Sequence, residues 1–234
     1  MARLGMVSIW FERGQSWVTR TIRQALLEMG HEVYLFTREG HIWGEAKRET
    51  SGDWDIRPRV DHPTYEIQPG ALLSWARYHR LDGVIFNEEY AFDLPAMLKG
   101  GGIKTIQYMD YLGHHWKPYL RHYDQLWSAT HRTHDLLTTM HVRSDSHFIG
   151  WGIHPTMLQQ EPCLPTHDFF SNQGWLGING RKGVDVLLEA ARVFAALRGP
   201  VKMLIHAQVP WAQCVQVMGG GASLPRGVEW YDAT

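Results

Sequence analysis

Residues 175–193 read WLGINGRKGVDVLLEAARV, and this stretch decides the fold. An apolar, strand-like run ends at Gly177. A tight turn rich in Gly, Asn and basic side chains follows, and Lys182-Gly183 then opens an amphipathic helix. The first turn of a helix leaves backbone N–H groups without partners and carries partial positive charge. Arg181 and Lys182 beside it therefore make a seat for a phosphate. A solvated lysine at a helix start is the plainer alternative for Lys182.

Working outward, the same alternation of short β-rich runs and helical patterns fills the chain, which favours parallel sheets wrapped by helices. Strands are expected at 4–10, 33–36, 83–87, 104–108, 124–128 and 146–149, and helices at 18–29, 72–79, 92–99 and 133–140. Residues 38–69, broken by Gly, Pro, Asp and Arg, read as one strand and a long loop. These elements suffice for a complete doubly wound domain. The polar, Pro-containing stretch before Asp168 reads as a linker, and a second series follows: strand 174–178, helix 182–197, strand 201–206, helix 211–217 and strand 228–231. The expected domains are 1–154 and 155–234.

Of the 234 residues, 44% are apolar and 20% charged, an ordinary folding composition. A net charge of −1 with no long run of one sign argues against nucleic-acid binding and against a polybasic membrane patch. The two cysteines, Cys163 and Cys214, fit neither a disulfide framework nor a zinc site, so a reducing cytoplasm is expected. The first apolar run, about seven residues long, is too short to span a membrane and lacks a leader's basic flank and cleavage site. The histidines of His131–Asp135, three residues apart, lack a third ligand, so no metal is expected there.

The strand–turn–"KG"–helix element resembles the donor-binding domain of GT-B glycosyltransferases of the group 1 (GT4-like) family. Four further segments match that pattern in order: GQSWVTRTIRQALLEMGHEVYLFTR from Gly14, FNEEYAFDLPAML from Phe86, YDQLWSATHRTHDLL from Tyr123 and HFIGWGIHPTML from His147. The match covers roughly residues 4–206. The resemblance implies two Rossmann-like domains with the acceptor mostly on the first, the donor nucleotide mostly on the second, and the cleft between them. It implies a retaining, metal-independent transferase whose co-substrate is a nucleotide-diphosphate sugar, with no separate cofactor.

Carried onto this sequence, Lys182 and Gly183 match the family's diphosphate-binding element. Ile178 stands where an arginine is usual, leaving Arg181 as the candidate for the second charge. Gly14 resembles the glycine that lets the first loop approach the donor phosphate, though an ordinary turn needs it equally. Trp17 and Arg20 lie just beyond it and are expected to line the cleft. In an open α/β sheet the ligand crevice lies outside the carboxyl ends of the strands, which places Asn87 and Glu88 at one strand end and Asp110 and Tyr111 at the next. Asp110 stands near the family's sugar-contacting histidine, as acceptor-orienting catalytic residue or as structural cap.

The chain departs from the family in a second respect. The paired glutamates of an E-x7-E segment, which hold the donor sugar and ribose, do not occur before Thr234. The reading therefore expects a second domain shortened at its C-terminal side, weak or absent transfer, and a sheet edge covered by a missing segment or a homo-oligomeric partner. Two other functions compete: a non-catalytic binding module derived from such an enzyme, and a nucleoside-diphosphate-sugar epimerase of the same architecture. A nicotinamide oxidoreductase needs G-x-G-x-x-G after the first strand, and FERGQSW offers one glycine.

Overall fold

The computed structural model describes residues 1–39, 48–140, 145–159, 166–174, 182–200, 202–207 and 209–232. The chain divides into two compact units, Met1–Gln160 and Glu161–Thr234. The sequence reading placed the boundary after His154, whereas the short helix at Pro155–Leu158 goes with the first unit.

The first unit is a seven-stranded sheet, parallel throughout. Its strands are β1 (Arg3–Ile9), β2 (Glu32–Arg38), β3 (Arg59–Asp61), β4 (Gly83–Asn87), β5 (Lys104–Met109), β6 (Gln125–Ser128) and β7 (Asp145–Phe148), in the order β3-β2-β1-β4-β5-β6-β7. The order reverses direction between β1 and β4, and such a switch point opens a crevice at the strands' carboxyl ends. Helices α1 (Gly14–Glu28), α2 (Pro69–Tyr78), α3 (Asp93–Gly100), α4 (Lys117–Leu120), α5 (His131–Thr139) and α6 (Pro155–Leu158) connect and follow the strands.

Alternate residues of the central strands serve opposite faces. Met6, Leu35 and Ile85 pack with Leu26 of α1 and with Trp10 and Trp54. Their neighbours Val7, Phe36, Val84 and Phe86 pack with Leu72 and Trp75 of α2 and Leu94 and Leu98 of α3. Burial on both faces explains why these strands read as continuous apolar runs.

Helix α1 begins at Gly14, four residues before the expected start, because its first turns dock through polar rather than apolar side chains. Ser16 Oγ donates to the Ile9 carbonyl at 3.1 Å and Thr19 Oγ1 to Ser8 Oγ at 2.8 Å, with Ser16 and Thr19 fully buried. Apolar periodicity does not register such a face.

The second unit holds β8 (Phe169–Gly174), α7 (Val184–Arg198), β9 (Met203–Ala207), α8 (Trp211–Val217) and β10 (Val228–Asp232). Its three strands are parallel in the order β10-β9-β8, and Val184, Leu188 and Ala191 of α7 pack against Ile205 and Ala207. The described strand β8 covers Phe169–Gly174, while the expected strand 174–178 falls, beyond Gly174, on 175–181, which with Arg181 lie outside the described residues. Among the described residues no helix is long and apolar enough to cross a membrane.

One close approach fixes how α2 meets β1. A Cβ on Gly5 would stand 2.6 Å from Trp75 Cη2 and 2.7 Å from Leu81 Cδ1. The leucine methyl can turn aside, but the Trp75 ring is packed in the core. Gly5→Ala should lower the stability of the first unit by about 1–3 kcal/mol through overpacking. Urea unfolding measures this as a lower midpoint, and an unchanged midpoint would show that the indole can shift at no cost.

Candidate functional site

The chemistry-bearing side chains of the first unit gather where β4 and β5 end. Asn87, the last residue of β4, is 1% exposed. Its Nδ2 donates to the Gln15 carbonyl at 2.7 Å and to Thr19 Oγ1 at 2.8 Å, while Gln15 Nε2 donates to the Asn87 carbonyl at 2.5 Å. Asn87 was expected to face the acceptor. The structure instead spends both its amide donors on joining β4 to the start of α1.

Glu88 follows with φ +52, the left-handed region that costs an L-residue about 1–2 kcal/mol. The turn is held from its far side. Glu89 is 2% exposed and its carboxylate lies 2.7 Å from the buried guanidinium of Arg38. Its Oε1 also accepts the backbone N–H groups of Tyr90 and Ala91 at 2.8 and 2.9 Å. Gln107 Nε2 and the Tyr123 hydroxyl donate to its carbonyl at 3.1 and 3.3 Å. Arg38 in turn lies 4.1 Å from the Tyr65 ring centroid.

So fixed, the half-buried Glu88 carboxyl hydrogen-bonds to Asp110, the residue after β5. Burial is the main reason that Glu88 is pushed up to about 8, with the Asp110 hydrogen bond and charge adding to it and Arg13 and Arg38 opposing it. At neutral pH Glu88 therefore carries its proton and donates it towards the Asp110 carboxylate. The Asp110 carbonyl accepts from Thr133 Oγ1 at 3.2 Å, which ties this strand end to α5. Asp110 itself is exposed. Burial, together with the same two carboxyls, raises the Tyr90 and Tyr108 phenols, so both stay neutral.

Aromatic side chains border the pair. Tyr90 stacks on Trp116 with ring centroids 4.3 Å apart, and Tyr111 meets Trp116 edge-on at 5.4 Å. Trp116 and Tyr90 escaped the sequence reading, although the run Asn87-Glu88-Glu89-Tyr90 straight after a buried strand was a usable signal. Arg38 carried none, since its partner Glu89 is 51 residues away.

Other expected residues lie elsewhere or do different work. Gly14 is the exposed first residue of α1, and apart from its chain neighbours and the helix's own backbone nothing lies within 4 Å of the place a Cβ would take. Trp17 and Arg20, expected to line the cleft, form an aromatic box with Trp54. The Arg20 guanidinium lies 4.3 Å from the Trp17 ring and 4.7 Å from the Trp54 ring, and is 4% exposed. Trp17 also meets His154 at 5.7 Å and donates to Glu12. In the second unit Lys182 is exposed and Gly183 caps α7 in the left-handed conformation, φ +67, with Asp185 in the first helical turn.

The parallel sheet order of the first unit and the second parallel α/β unit define a GT-B type fold. No family model and no curated protein matches the chain. Solved structures match nearly all of it. The Staphylococcus aureus MnaA–UDP complex is 10% identical, with a TM-score of 0.68 over 99% of this chain and 69% of that one. A putative UDP-N-acetylglucosamine 2-epimerase from Listeria monocytogenes is 13% identical, with a TM-score of 0.67 over 100% and 70%. A glycosyltransferase from Rickettsia africae is 9% identical, with a TM-score of 0.62 over 99% and 68%. At these identities the likeness is one of fold.

The elevated Glu88 carboxyl gives stability a defined pH dependence. Its folded value lies above the ordinary 4.5, so the folded chain holds this proton more tightly than the unfolded chain does. That contribution is complete below 4.5 and is lost as pH rises to about 8. Glu88→Gln, neutral at every pH, should therefore gain thermal stability relative to the parent between pH 5 and pH 9. A melting-temperature difference that stays constant across this range would rule out the raised carboxyl.

Proposed function

We propose that the chain is a nucleotide-sugar enzyme, and first a glycosyltransferase that uses a nucleotide-diphosphate sugar and no separate cofactor. The observation that carries this reading is the Glu88–Asp110 carboxyl pair at the strand ends of a GT-B fold. Low cysteine content fits a cytoplasmic setting.

In this reading an acceptor hydroxyl donates its hydrogen bond to Asp110, which orients the oxygen. That oxygen bonds to the anomeric carbon, on the same face that the diphosphate leaves, as the bond from that carbon to the diphosphate oxygen breaks. The hydroxyl proton passes to the carboxylate, and negative charge collects on the departing diphosphate. On the second unit, Lys182 with Arg181 and the N–H groups at the start of α7 is the candidate seat for a diphosphate in place of a metal, and the anomeric configuration is kept. Uridine diphosphate is the first nucleotide to test, since one structure matching this fold holds it.

A second reading, sugar-nucleotide epimerisation, has its own support. A protonated carboxylic acid beside a carboxylate is an acid–base pair, which removal and return of a carbon-bound proton requires. Deuterium from heavy water entering the sugar ring would favour epimerisation, and product formation without it favours transfer.

Uridine diphosphate should bind the full chain by titration calorimetry, and Lys182→Ala should weaken it by about 1–3 kcal/mol, the scale of a lost charge-assisted hydrogen bond. Asp110→Asn should leave nucleotide affinity unchanged while lowering turnover. No nucleotide binding, or an unchanged affinity in Lys182→Ala, would contradict the assigned donor seat.

A further inference from the structure

Beside the carboxyl pair lies an aromatic surface that donor chemistry leaves unused. Trp116 is buried, and one face of Tyr90 is covered by its stack on that indole. Tyr111, directly after Asp110, touches Trp116 only through a perpendicular contact, 89° between planes, and is 64% exposed. The surface therefore offers the Tyr111 ring next to an exposed carboxylate, with Tyr90, stacked on the buried indole, 37% exposed.

That arrangement selects among ligand chemistries. A quaternary ammonium is held by several open ring faces converging on it, and here Trp116 is buried and Tyr90 is stacked on it, which leaves Tyr111 as the ring with most of its surface exposed. An acyl chain wants an aliphatic trough, and the exposed positions here, Asp110, Tyr111 and Tyr90, are acidic or phenolic. A pyranose ring presents an apolar C–H face and a rim of hydroxyl donors. Asp110 can accept from such a hydroxyl while also accepting from Glu88, because a carboxylate has about four lone-pair sites.

We propose that Tyr111 and Asp110 form an acceptor-sugar subsite: a pyranoside lies with its C–H face on the Tyr111 ring and donates one hydroxyl to Asp110. This names the acceptor class of the transfer reading and rests on it for its catalytic meaning, but the binding can be tested without turnover.

Saturation-transfer NMR with methyl α-D-glucopyranoside on the full chain provides the test, with uridine diphosphate titrated into the same samples. Ring protons of the pyranoside should receive saturation. Tyr111→Ala should weaken the pyranoside about tenfold, Tyr111→Phe should retain it, and Asp110→Asn should weaken it. Tetramethylammonium should not displace it. Pyranoside binding that ignores Tyr111→Ala, displacement by tetramethylammonium, or no pyranoside binding while uridine diphosphate still binds would each overturn the subsite. Intact pyranoside binding with no nucleotide binding would support the subsite and overturn the nucleotide-sugar reading.

Discussion

The way β4 leaves the sheet governs everything at the carboxyl edge of the first unit, and polar contacts pin that exit on both sides. Upstream, Asn87 bonds to Gln15 and Thr19 and so locks the strand to α1. Downstream, the buried Arg38–Glu89 ion pair and the two N–H groups capped by Glu89 set the following turn. Between these anchors Glu88 has no freedom to relax out of the left-handed region. Strained residues persist where the surroundings over-determine them, and here the strained residue carries the carboxyl that hydrogen-bonds to Asp110. Removing one member of a buried ion pair strands the other charge at a cost of several kcal/mol. Arg38 thus belongs to the site's construction even though it touches Glu88 only through the field.

The α/β class was legible in the sequence because parallel strands buried on both faces leave uniform apolar runs, and β4 at Gly83–Asn87 was read to the residue. The start of α1 was not legible. Ser16 and Thr19 point inward through hydrogen bonds that mimic a solvent-facing pattern. Strand β8 was missed for a similar reason: Phe169–Gly174 holds Ser, Asn and Gln, and its register shifts between Asn172 and Gly174.

The site divides along the same line. Strand-end logic placed Glu88, Asp110 and Tyr111 just past the carboxyl ends of β4 and β5, where they lie, because the switch point of an open sheet can be placed from element order alone. It also reached Asn87, whose side chain proves to be committed to the fold. Trp17 and Arg20 were attractive by nearness to Gly14 in the chain, yet on α1 they turn to Trp54 and His154. Long-range partners such as Arg38 for Glu89 leave no trace in a local pattern, so the support beneath Glu88 needed three dimensions.

The central claim is that Glu88, beside Asp110, keeps its proton at neutral pH, and carbon-13 NMR of the Glu88 side-chain carboxyl tests it most directly. With the resonance assigned by its loss in Glu88→Gln, titration should give a midpoint near 8. In Asp110→Asn the midpoint should fall, yet stay above the ordinary 4.5, because burial is the larger cause. A midpoint near 4.5 in the parent protein, or one indifferent to Asp110→Asn, would contradict the account.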